Sequence, residues 1–177
     1  DHATSLVVEL WDGEVSSVSR VQLLNGANTA AIQSASGAWE IVQFERAEEI
    51  EPNVWRLGDL LRGQLGTDDA MAAGAAAGAR FVILDDAVKP AGLLAGEEGL
   101  SLNGRIGASG VDFSGEHYAQ IAGSGGVRAL LPLSPVHLRG QREGEDLALS
   151  WIRRGRVDAD NWLSPEIPLG EELEKYQ

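Results

Sequence analysis

Trp39-Glu40-Ile41-Val42-Gln43-Phe44, followed by Pro52-Asn53 and then Val54-Trp55-Arg56-Leu57, is the stretch on which the fold class turns. Aromatic and β-branched residues crowd both flanks and suit a pleated, half-buried surface. Between them Pro52 presets φ for the first central position of a tight turn, and Asn53 tolerates the positive φ that the second position can demand. The stretch from Trp39 to Gly63 is therefore expected to form a β-hairpin.

Upstream, the apolar run Leu6–Leu10 reads as a strand, and Trp11 is followed at once by the turn chemistry of Asp12-Gly13. Val15–Leu24 fits two patterns. Its β-branched content favours a strand, while Val18, Val21 and Leu24 stand at helical spacing. Asn25-Gly26 and Asn28 mark a turn. Downstream, Thr67 before Asp68-Asp69 looks like a capped helix start, and the Ala-rich run to Ala79 is weakened by Gly74 and Gly78. Arg80–Leu84 is a compact strand that ends at Asp85-Asp86, and Gly92–Gly126 reads as small strands joined by turns.

Leu131-Pro132-Leu133-Ser134-Pro135 suits an extended connection. Beyond it, Val136–Arg139 and Leu147–Trp151 flank a turn at Glu143–Asp146, and Leu147, Leu149 and Trp151 alternate with smaller residues as in a half-buried strand. This pair resembles the opening hairpin of a fibronectin type III sandwich. About 45 residues follow the connection, roughly half of what such a sandwich needs, so a truncated domain is expected. The predicted fold is mainly β, with short antiparallel strands and hairpins and at most one or two short helices. A β-rich module over 1–130 is followed by a partial fibronectin type III-like segment over 131–177.

Composition narrows the function. Among 177 residues, 27 acids against 14 bases leave a formal charge of −13. Such a field repels phosphate backbones and anionic lipid, which argues against nucleic acid as a partner. There is no cysteine, hence neither disulfides nor thiolate metal sites. No apolar run is long enough to cross a bilayer as a helix, so membrane insertion is not expected. A start at Asp1 rather than Met suggests a processed protein or an excised fragment. The 22 glycines imply many turns.

Motifs that carry chemistry are missing: no Walker A loop, no G-x-S-x-G elbow, no H-E-x-x-H, no Rossmann fingerprint. His2, His117 and His137 are far apart, with no second ligand at metal spacing. Ser114, Glu116 and His117 are close in sequence, but chain neighbours seldom aim at one another, and a polar loop is the better reading. Asp158-Ala159-Asp160-Asn161 begins like a calcium loop, yet Leu163 holds the sixth position where glycine belongs, which favours a solvated turn. The acid pairs Asp68-Asp69, Asp85-Asp86 and Glu97-Glu98 are read as solvated charge. Neither catalytic residues nor cofactor or metal sites are expected. Trp11, Trp55 and Trp162, with the basic cluster Arg153, Arg154 and Arg156, make up the candidate binding surface, the arginines being read first as partners for stacking on a Trp.

In order along the chain, Trp39–Phe44, Leu57-Gly58-Asp59-Leu60-Leu61-Arg62-Gly63-Gln64-Leu65-Gly66-Thr67, Phe81–Asp85, Pro135–Leu138 and Ser150–Arg156 resemble the C-terminal region of the large baseplate, or host-specificity, protein of gene transfer agents. That protein is related to the tail-tip proteins of long-tailed phages. The run Leu60–Thr67 carries the resemblance most specifically. The family's upstream hydrolase-like TIM barrel is not recognisable here, so no hydrolase residue carries over. The resemblance implies a virion structural protein in the tail, assembled in the cytoplasm. It would contact other baseplate or tail proteins and recipient cell-surface saccharide, and would form a homotrimer in the particle. In residue terms, Gly63 and Gly66 are expected to permit bends, Arg62 to pair with an acid and Thr67 to cap the helix that follows. The alternatives are a carbohydrate-binding module, with exposed Trp stacked on sugar rings, or an accessory part of a cell-wall glycan hydrolase, with two carboxylates across a groove.

Overall fold

The computed structural model describes residues 4–108, 110–112, 116–156, 158, 159, 161, 163, 166 and 168–170. The described chain is mainly β, and all its strand pairs are antiparallel. It divides into two compact units, one of residues up to Lys89 together with those from Leu133 on, the other of Pro90–Pro132.

The first unit is built on a five-stranded sheet. Its strands are β1 (Leu6–Glu9), β2 (Thr29–Gln33), β3 (Trp39–Glu51), β4 (Val54–Gln64) and β5 (Phe81–Ile83), arranged β1-β4-β3-β2-β5. The expected hairpin is its centre. Pro52 and Asn53 form the loop between β3 and β4, and Asn53 takes φ +63°. Register shifts between Ile41 and Gln43 and between Glu49 and Glu51 break the ladder of this long hairpin, and such bulges increase local twist and bend a strand. The strand β2 was not anticipated: Ala30 and Ala31 carry little β preference, and the pairing on both sides makes the strand.

One face of the sheet holds the core: Val8, Leu10, Ala30, Ile32, Val42, Phe44, Leu57 and Leu60, with Leu6, Trp55, Phe81 and Ile83 packed against it. Full burial of a side chain the size of Phe or Leu stabilises by about 1.5–3 kcal/mol. The other face of β3 is covered in part by α1 (Arg20–Leu24), whose Leu23 is buried. Ser19 and Gln22 close a capping box at its start, and the helical alternative for this stretch holds for residues 20–24 alone. At its end, the Gln43 amide donates to the carbonyls of Leu23 (2.8 Å) and Ala27 (2.9 Å), satisfying acceptors that a helix terminus leaves open.

A second short helix, α2 (Asp68–Ala73), follows β4 and stops at Gly74, where φ is +67°. In the second unit, β6 (Leu102–Ile106) and β7 (Ala119–Gly123) form a two-stranded sheet, with a 3-10 turn at Ala95–Glu97 and α3 at Val127–Leu130. Back in the first unit, β8 (Val136–Glu143) and β9 (Asp146–Ile152) make the hairpin expected after the proline-bearing connection. No second sheet covers it among the described residues, and all its residues except Val136 are exposed. The expected fibronectin-like sandwich is thus not seen among the described residues; what is present is a two-stranded antiparallel hairpin.

Candidate binding cleft

β1 and β5 are the two edges of the five-stranded sheet, and they line one cleft of about 950 Å³. The sheet therefore curls like a half-barrel whose missing wall lies between its edges. In an antiparallel pair, alternate residues direct both backbone groups at the partner. Leu10 N–H donates to Asn53 O at 2.9 Å, so Leu6, Val8 and Leu10 face β4 and the backbone groups of Val7 and Glu9 point away from the sheet. Gln33 N–H donates to Arg80 O and Leu84 N–H to Thr29 O, both at 2.9 Å. Arg80, Val82 and Leu84 thus face β2, and Phe81 and Ile83 present their N–H and C=O groups at the open edge.

The side chains alternate instead between the two faces of the sheet. Val8, Leu10, Ile32, Phe81 and Ile83 belong to or pack on the core and make an apolar floor. Trp11, at the end of β1, stands on the rim with 98% of its surface exposed. Glu9, Asp12 and Asp85 supply three carboxylates to the lining, against one guanidinium, Arg80.

A second, smaller recess of about 350 Å³ gathers Arg62, Gly66, Asp68, Leu133, Arg154 and Arg156. Arg62, on its lining, is held in an ion pair. Glu40, 1% exposed, receives Arg62 through both oxygens at 2.5 and 2.7 Å, and its Oε1 also accepts from Gly63 N–H at 3.0 Å. This bidentate hydrogen bond raises the Arg62 pKa from its ordinary value; partial burial opposes the rise and the charge of Glu40 adds to it. Arg154 joins the hairpin to α2, donating to Asp68 at 3.0 Å and to Ser134 O at 2.7 Å. Arg156 lies over Gly66, where a Cβ would meet its Nη2 at 2.7 Å.

The expectations for the Leu60–Thr67 run are met with one correction. Gly63 and Gly66 take φ of +59° and +78°, and Arg62 pairs with Glu40. Thr67 does not cap α2 through its side chain. Its hydroxyl donates to Gln64 O (2.7 Å) and accepts from Ile41 N–H (3.0 Å), tying the turn to β3 at the bulge instead.

The six residues proposed as a binding surface do not converge. Trp11 is on the cleft, Arg154 and Arg156 are in the recess, and Arg153 lines neither. Trp55 is half-buried against the core, its indole N–H buried without a partner among the described residues. Trp162 lies outside the described residues, as do Ser114, His2 and Asp160, on which the nucleophile, metal and calcium-loop readings partly depended. At the last of these, Asn161 Nδ2 donates to Asp158 Oδ2 at 2.8 Å, a local turn bond. Among the described residues no group of three or more His, Asp or Glu could hold a metal ion. The open edges of β1 and β5 were missed from the sequence, because their adjacency depends on strand order.

Residues 1–82 match the family described as Rcc01698-like, C-terminal. That span takes in the whole five-stranded sheet except the last residue of β5. The match fits a protein related to gene transfer agents and is compatible with a virion-associated one. Among curated proteins, no match is found.

Proposed function

We propose that this chain is a structural contact module in the tail of a gene-transfer-agent-like particle, seated at the baseplate or tail tip and working through protein surfaces without making or breaking bonds. The observation that carries this reading is the cleft between β1 and β5, which combines an apolar floor, two rows of outward backbone groups and the exposed Trp11. A sheet edge left open in this way is a template for pairing with another chain. The family match over residues 1–82 and the resemblance of Leu60–Thr67 support the particle context.

Recipient-surface saccharide is a second reading, favoured by the bare indole of Trp11, since such rings stack on the apolar faces of sugars. Comparing retention of the purified chain on isolated baseplate proteins with retention on recipient cell envelopes tests both. The expected result is retention on baseplate proteins that falls at least about tenfold with Trp11→Ala, a loss of about 1.4 kcal/mol. Retention on envelopes alone, competed by soluble glycan, overturns the protein-contact reading in favour of the saccharide. Release of reducing sugar from cell-wall glycan by the wild-type chain overturns both in favour of a hydrolase.

A further inference from the structure

Resting on that reading of the cleft, we propose that its occupant is an extended segment of a basic partner protein, which enters as an added strand between β1 and β5 and completes the curled sheet. Backbone, floor and charge each constrain the occupant. The outward N–H and C=O groups of Val7 and Glu9 on one side, and of Phe81 and Ile83 on the other, repeat at every second residue, the period of a β-strand. A helix satisfies its own backbone groups and has none left to offer these edges. Strand addition places main-chain hydrogen bonds along the edge and directs alternate side chains to one face. That face is the apolar floor.

Charge selects among extended segments. The lining carries Glu9, Asp12 and Asp85 against Arg80, and the whole chain has a formal charge of −13. A second copy of this chain brings like charge to an acidic rim, whereas Lys or Arg flanking an apolar core brings the opposite sign. Trp11, fully displayed beside Asp12, offers an aromatic face on which a guanidinium or ammonium group can stack. The occupant is thus a strand with β-branched residues at alternate positions and basic residues at its ends.

A display library of seven-residue cores with Lys/Arg or Glu/Asp flanks, selected on the full chain, tests this. The expected binders are basic-flanked with alternating apolar cores. They should slow hydrogen exchange at the amides of Val7, Glu9, Phe81 and Ile83. Binding should weaken about tenfold or more when salt rises from about 50 to 500 mM or with Glu9→Lys/Asp85→Lys. Val7→Pro removes one outward donor while leaving the ladder to β4 intact, as proline allows at an edge, and should weaken binding with an unchanged circular dichroism spectrum. Acidic or helical binders, binders that leave these four amides unprotected, no binders at all, or concentration-dependent self-association abolished by Val7→Pro would each overturn the proposal. Retention on baseplate proteins that survives Val7→Pro and Glu9→Lys/Asp85→Lys would leave the contact-module reading standing and remove the strand-addition mechanism alone.

Discussion

Val42 and Phe44 on β3 and Leu147 and Leu149 on β9 follow the same alternation, yet the first two have no accessible surface and the second two are 64% and 56% exposed. Both stretches carry the two-residue period of a strand that buries one face. What differs is the company. β3 lies between β4 and β2 with α1 across its back, whereas β9 has β8 beside it and no other strand among the described residues. Periodicity therefore reports that a residue sits on a strand and which side it shares; burial comes from the layer that packs on that side. A two-stranded hairpin alone is marginal in water, so the stability of this chain resides in the five-stranded sheet.

The contrast breaks most readily at Phe44. Phe44→Ala leaves a cavity under the centre of the sheet and is expected to cost about 3–5 kcal/mol, whereas Leu149→Ala, on the open hairpin, should stay within about 0.5 kcal/mol. Urea unfolding of the two variants measures both, and equal losses would show that the hairpin shares a core. Glu40→Gln is the next largest. It leaves the Arg62 guanidinium half-buried without its carboxylate, at a cost of about 3 kcal/mol, since removing one partner of a buried pair strands the other. The pKa of Arg62 is raised on folding, so its contribution is present in full below the unfolded value and is lost only as pH climbs through the folded one. The stability difference between wild type and Glu40→Gln should therefore stay level from about pH 7 to about pH 10, as denaturation at several pH values would show. Gly66→Ala comes third. At φ +78° with Arg156 and Leu133 against the missing Cβ, it should cost about 1–3 kcal/mol, while Gly37→Ala, also at positive φ but with open space around it, should cost less. Thermal melts of the two variants separate crowding from backbone strain.

How much of this was readable in the sequence follows from range. The β3–β4 hairpin was legible because its turn residues, Pro52 and Asn53, act within four positions. Gly63 and Gly66 were legible for the same reason, whereas Arg62 could be read only as a partner for some acid, since Glu40 lies 22 residues away. The helix at Arg20–Leu24 had a local signal too, Ser19 with Gln22 three residues on, but the β-branched residues around it pointed the other way. The strand β2 had no local signal, as its Ala30 and Ala31 become strand by pairing with β3 and β5. The cleft was hidden by the strand order, which places β1 beside β4 and strands 70 or so residues apart at the two rims of one opening. Thr67 shows the limit of reading by residue type: the sequence offers a cap, and the hydroxyl goes to the strand bulge that only the folded chain brings near.

The smallest effect expected is at the link between the two regions. Arg154, just past β9, reaches Asp68 at the start of α2, and each side chain is 29% exposed. Solvent screens a pair this open, so a double-mutant cycle of Asp68→Asn and Arg154→Met should give a coupling of about 0.5–1 kcal/mol that shrinks in high salt. Arg154 also donates to Ser134 O, so Arg154→Met alone should cost more than Asp68→Asn alone. Hydrogen exchange locates the consequence. If the hairpin is held in place chiefly by this contact, the β8–β9 amides should lose protection in either variant while those of β3 and β4 keep theirs, because no core side chain of the sheet depends on Arg154. A loss of protection that spread into β3 would mean that the two regions unfold as one unit, and the difference in burial between Phe44 and Leu149 would then no longer mark a difference in stability.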